Sequence, residues 1–128
     1  MGRAARFVVQ EHDTGNGVHW DLMLEAEEGE DVDALATWSL LAPPGGGTAV
    51  RALRIADHRK AYLDYEGPIS GGRGTVRIWD RGTCLQRDLG VDRIELALAG
   101  ERLRGMFVLS DAGEVEGGKA VWTFAPAP

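Results

Sequence analysis

The chain carries three histidines, His12, His19 and His58, and each stands near a partner suited to metal or phosphate chemistry. His19 and Asp21 lie two apart within Val18-His19-Trp20-Asp21-Leu22-Met23-Leu24-Glu25. Val18, Trp20, Leu22 and Leu24 are apolar, and the alternate positions are mostly polar. A period of two marks a strand with one buried face. It predicts that the four apolar residues are buried and that His19, Asp21 and Met23 face a groove. An imidazole beside a carboxylate suits a borderline divalent ion such as Mn²⁺ or Zn²⁺. His12 supplies a third ligand if the strand before it pairs back through the turn signal Gly15-Asn16-Gly17. Gln10 shares a strand face with His12. The plainer alternative is a surface His-x-Asp pair, with His12 in an ordinary His-Asp turn.

His58 and Tyr62 are four apart, so a helical turn over Asp57 to Leu63 would set them side by side. Such a pair can hold and protonate a phosphate oxygen. Its plain counterpart is a half-buried histidine next to a core tyrosine. Arg51, Arg54, Arg73, Arg77 and Arg81 are spread over the middle of the chain. Arginine suits bidentate phosphate contact, although each alone also reads as a surface charge. Gly71-Gly72-Arg73-Gly74 lacks the GxxxxGK[ST] pattern and reads as a turn. Trp20, Trp38, Trp79 and Trp122 read as core.

What must position these residues is a set of short strands. With 128 residues the chain fits one domain, 1–128. Its 18 glycines favour many turns over long helices. Alternating runs occur at Arg6–Gln10, Val18–Glu25, Leu35–Leu41, Val50–Ala56, Val76–Ile78, Ile94–Leu98, Leu103–Leu109 and Ala120–Phe124. In the fourth run Leu53 and Ile55 share a face, and Gly105 in the seventh reads as a bulge. The expectation is an all-β fold, a closed or partly open barrel of about eight short antiparallel strands with at most one or two short helices. The acidic cluster Glu25, Glu27, Glu28, Glu30, Asp31 and Asp33 reads as one solvated hairpin tip. A net charge of −6 argues against a nucleic-acid coat but leaves room for a small site for one nucleic-acid end. No apolar run approaches the roughly 20 residues of a membrane span, and residues 1–9 are too short and weakly apolar for a secretory signal. The lone Cys84 suits a reducing cytoplasm.

Several segments, in order, resemble the 3′-phosphoesterase domain of bacterial DNA ligase D. Phe7-Val8-Val9-Gln10-Glu11-His12-Asp13 is similar to its FVVQxHD, and His19-Trp20-Asp21-Leu22-Met23-Leu24-Glu25 to its HYDLRLE. Asp57-His58, Tyr62 and Tyr65-Glu66-Gly67 resemble DHPxxYxxFEG. The run from Gly74 to Thr83 resembles GTVxxWDRGT, and that from Gly100 to Gly105 resembles GEKLKG. The likeness covers residue 7 to about residue 124. It implies a β-barrel with an open groove and a Mn²⁺-dependent site that trims 3′ ends of nucleic acid. Such a site removes a terminal ribonucleoside and then hydrolyses the resulting 3′-phosphate. By position, His12, His19 and Asp21 would bind the metal, Gln10 would support that shell, and His58 and Tyr62 would contact the scissile phosphate.

The departures fall on the phosphate clamp. The family has arginine where this chain has Met23. It has a lysine after the strand tryptophan, where Trp38 is followed here by Ser39-Leu40-Leu41-Ala42-Pro43. Its arginine before the DH pair is out of register, with Arg51 and Arg54 only nearby. One extra residue separates His12 from His19. There is no KxDG motif, so the chain is not itself a ligase, and a repair ligase or polymerase would act in trans. Three functions are therefore in play. One is a weakened or re-specialised 3′-phosphoesterase in DNA repair. Another is a catalytically inactive module of the same fold that binds metal or nucleic acid. The third is a phosphoesterase for a smaller substrate.

Overall fold

The structure is a computed structural model that describes residues 5–25 and 33–128. The acidic run Glu27, Glu28, Glu30 and Asp31 lies outside the described residues. Among the described residues nine strands follow one another: β1 (Ala5–Asp13), β2 (Val18–Glu25), β3 (Leu35–Leu40), β4 (Val50–His58), β5 (Gly67–Pro68), β6 (Thr75–Asp88), β7 (Arg93–Gly100), β8 (Arg104–Glu116) and β9 (Lys119–Pro126). Eight of them close a ring of antiparallel pairs in the order β1-β2-β3-β4-β9-β8-β7-β6, with β6 returning to β1. The two-residue β5 adds to the outer side of β6. The expected eight-stranded barrel is thus present, closed rather than open, and closure leaves few edges to protect.

Period-two alternation explains the interior. Phe7 and Val9 of β1, Leu22 and Leu24 of β2, Trp38 and Leu40 of β3 and Phe124 of β9 all enter one buried cluster. Trp38 meets Trp122 edge-on at 5.5 Å, while Trp20 and Trp79 are half-buried against the same core. Among the described residues, the one helical segment is a 3₁₀ turn, Lys60–Leu63. It is shorter than the expected Asp57–Leu63, because Asp57 and His58 still belong to β4.

In β4 Leu53 and Ile55 are both half-buried, and Val50 and Ala52 are the residues that face the core. Other expectations are corrected. Gly105 pairs in register with Leu98 and forms no bulge. The extra residue sits instead in β6, where Val9 pairs with Asp80 but Gln10 with Ile78, leaving Trp79 unmatched. In β2, Val18 is exposed because it lies at the strand's open end. Met23 is fully buried and faces no groove. The cause is a second small cluster on the outside of the barrel wall: Val8, Met23, Leu35 and Leu63, with Tyr62 and Ile78 packed against it. The β4–β5 connection folds over that wall, so its outer face is not all solvent.

Two of the motif blocks have a structural role. Asp80, buried at 4% exposure, accepts backbone N–H bonds from Arg81, Glu101, Arg102 and Leu103 at 2.8–3.2 Å. One carboxylate therefore holds the β7–β8 turn. Gly100 lies against it so closely that a Cβ there would overlap the carboxylate.

Candidate metal centre and phosphate cleft

β1 and β2 pair so that Gln10 faces Asp21 and His12 faces His19. These four side chains stand on the outer wall, because their odd–even partners Val9, Trp20 and Leu22 point inward. The two imidazole centroids are 4.6 Å apart. One ligand atom from each of His12, His19 and Asp21 lies within 4.8 Å of the others. Metal–ligand bonds of about 2.0–2.2 Å span such a triangle with small side-chain rotations.

Hydrogen bonding orients the set. His12 Nε2 lies 2.7 Å from the Arg73 carbonyl oxygen, which can only accept. Nε2 therefore carries the proton, and in the neutral ring Nδ1 is left with its lone pair. That Nδ1 is 3.8 Å from Asp21 Oδ2. Two acceptors then face each other at a separation too long for a shared proton and suited to a cation between them. His19 Nδ1 is 2.8 Å from both Asp21 Oδ1 and Ser39 Oγ. Asp21 itself is 3% exposed, so its charge is held where partners matter.

The connection after β4 brings the second group. His58 Nδ1 lies 3.2 Å from Thr37 Oγ1, whose own proton is given to the Leu35 carbonyl. The hydroxyl can then only accept, so Nδ1 of His58 donates and Nε2 is free for other chemistry. The rings of His58 and Tyr62 meet edge-on at 5.3 Å. Gln10, 1% exposed, donates from its amide to the carbonyls of Tyr62 and Tyr65, each at 3.0 Å. It thereby ties this connection to the strand that carries His12. His12, Asp21, His58, Tyr62 and Arg73 line a common cleft of about 80 Å³.

Of the five arginines in the middle of the chain, Arg73 alone lines this cleft. Arg51 pairs with Glu116 and Glu114, Arg77 with Glu11, and Arg81 with Asp64. The Arg54 guanidinium lies 4.7 Å over the Trp38 ring and bonds Thr37 O, Ile55 O and Asp57. Arg73 is set in place by Gly74, whose φ of +95° and contact with the Asp13 carbonyl exclude a Cβ. Sequence reasoning missed Ser39 and Thr37. The alternation of Leu35-Ala36-Thr37-Trp38-Ser39-Leu40 already places both on the polar face.

The class is a closed antiparallel barrel with a His/His/Asp cluster that could hold a metal ion on its wall and a histidine–tyrosine pair beside it. The profile of the DNA ligase D 3′-phosphoesterase domain matches residues 10–111. The chain belongs to that family. Comparison with curated proteins returns no match.

Proposed function

We propose that this chain is a divalent-metal-dependent phosphoesterase, acting as one domain on the 3′ end of DNA or RNA in repair, with a re-specialised phosphate clamp. The observation that carries the reading is the pair of facing acceptors, His12 Nδ1 and Asp21 Oδ2, with the imidazole tautomer fixed by the Arg73 carbonyl. His12, His19 and Asp21 would hold Mn²⁺, or Zn²⁺ or another divalent ion, which supplies a Lewis acid for a phosphoryl oxygen. His58, with Nδ1 committed to Thr37, offers Nε2 to the phosphoryl group, as charge stabiliser or proton donor when protonated. Tyr62 offers a hydroxyl at the same group, and Arg73 a guanidinium. Gln10 holds the connection that carries Tyr62.

The inactive-module reading rests on one specific observation. Met23, at the position of the family's arginine, is sealed in the outer-wall cluster, and four of the five arginines are engaged elsewhere. The free, buried Cys84 accords with a cytoplasmic setting. Among the described residues no helix is long and apolar enough to cross a membrane.

Calorimetric titration with Mn²⁺ and a phosphate-release assay on a 3′-phosphorylated primer-template test the proposal together. One Mn²⁺ per chain and Mn²⁺-dependent release are expected. His19→Ala should weaken Mn²⁺ at least about 10-fold, since even losing an outer hydrogen-bond partner costs 10–100-fold. If the unmutated chain binds neither Mn²⁺ nor Zn²⁺, the metalloenzyme reading fails. Metal binding without any release selects the inactive module.

A further inference from the structure

Beside the cleft lies a larger cavity of about 250 Å³, and Tyr62 and Ile69 line both. Arg59, Ala61, Tyr65, Pro68 and Ser70 complete its wall. The Tyr62 and Tyr65 rings meet at 5.7 Å and 73°, forming an aromatic corner. Tyr65 is fixed there by donating its hydroxyl to the Pro68 carbonyl. The Gln10 amide pins the backbone carbonyls of both tyrosines, so this corner is tied to the strand that carries His12. Arg59 is exposed at the start of the 3₁₀ turn, and among the described residues its guanidinium makes no ion pair.

The two spaces differ in the way a nucleotide's parts differ. The cleft, at about 80 Å³ and lined by His12, Asp21 and His58, is sized for a phosphoryl group and not for a nucleoside. A phosphoryl group held there has its nucleoside one ester bond away, and the adjoining cavity has aromatic and apolar walls with a cation at the rim. Flat bases stack on such walls with little regard to identity, because every base has a π-face. We propose that the Tyr62–Tyr65–Arg59 cavity is a base-stacking subsite. It takes the base of the nucleotide whose 3′-oxygen carries the scissile phosphate. The assignment rests on the phosphoesterase reading above. With the Ser70 hydroxyl the lone side-chain hydrogen-bonding group of the wall besides the tyrosines and Arg59, it requires a base but discriminates weakly among bases.

The test uses the full chain with Mn²⁺ and two single-stranded oligonucleotide 3′-phosphates. One ends in an ordinary nucleotide and the other in a base-free tetrahydrofuran residue. The readouts are KM for phosphate release and, independently of turnover, quenching of 2-aminopurine placed at the 3′-terminal nucleotide. The ordinary end should bind roughly 5- to 150-fold tighter, the worth of one stacked base. Tyr65→Leu and Arg59→Ala should each narrow that gap and leave the base-free end unchanged, while Tyr65→Phe should keep it. Should Tyr65→Leu not fold, Arg59→Ala at an exposed position still decides. Equal constants for the two ends, or a gap that survives both variants, overturn the subsite even if release is Mn²⁺-dependent. Base-dependent quenching without release keeps the subsite and sinks the hydrolytic reading. Neither quenching nor release overturns both.

Discussion

Replacing Arg73 by methionine should separate a relocated phosphate clamp from a lost one. The substitution keeps an unbranched stem and the backbone carbonyl that orients His12. It removes the guanidinium of the arginine that lines the cleft, now tethered to Ser70 O at 2.8 Å and Ser70 Oγ at 3.3 Å. A charge-assisted contact to a phosphoryl oxygen is worth roughly 1.5–3 kcal/mol. Made mainly in the transition state, that is on the order of 10- to 150-fold in rate. Arg73 is exposed, so solvent screening puts the expected loss near the lower end, about 10- to 30-fold in kcat/KM. A cation beside the cluster also repels Mn²⁺, so affinity for the metal should stay level or rise slightly as turnover falls. The two effects have opposite signs, which a general loosening of the site would not produce. Steady-state phosphate release and calorimetric Mn²⁺ titration on the same preparation measure both. Turnover within about 3-fold of the unmutated chain, or Mn²⁺ affinity falling in parallel, would refute the clamp assignment.

Asp80→Ala leaves four buried or half-buried backbone donors without their acceptor and should cost about 3–5 kcal/mol, read by urea denaturation. A loss below about 1 kcal/mol would show that the β7–β8 turn holds itself. Met23→Arg puts a guanidinium among Val8, Leu35 and Leu63, so we expect about 2–4 kcal/mol lower stability and no gain in phosphate release. An equally stable and more active variant would show that the arginine threads into the cleft. Burial pushes the Cys84 thiol up to about 12. It should resist a thiol reagent at pH 8 while folded and react promptly in denaturant, and fast reaction of the native chain would contradict its burial. The folded thiol titrates above the unfolded one. Its contribution to stability is therefore complete below the ordinary thiol range and declines as pH rises from there toward about 12.

The strand pattern was legible because the pleat has period two. Once Trp20, Leu22 and Leu24 are assigned inward, His19 and Asp21 must share the opposite face, and the Gly15–Gly17 turn makes His12 their cross-strand neighbour. The five motif blocks located His58 and Tyr62 near the same site. Alternation distinguishes two faces of a strand, but it does not say what covers each. Met23 shares a face with His19 and Asp21, and it was expected in a groove on that ground. Leu63, forty residues on, packs over it and seals it. The arginines show the same limit. Arg51, Arg54, Arg73 and Arg77 are chemically equivalent as a string of letters. Their roles depend on Glu116, Trp38, the cleft and Glu11, which lie up to 66 positions away.

Local pattern alone thus determined most of the strands and which side chains share a face, because those follow from periodicity, and the family resemblance added the barrel and the meeting of the three candidate metal ligands. The tertiary structure decided which way the imidazole lone pairs point, which arginine reaches the cleft, and that an aromatic cavity adjoins it. Each of these depends on the Arg59–Gly74 connection lying back across β1 and β2. That placement is fixed by the Gln10 amide, the Leu63 side chain and the Gly74–Asp13 contact acting over long sequence separations.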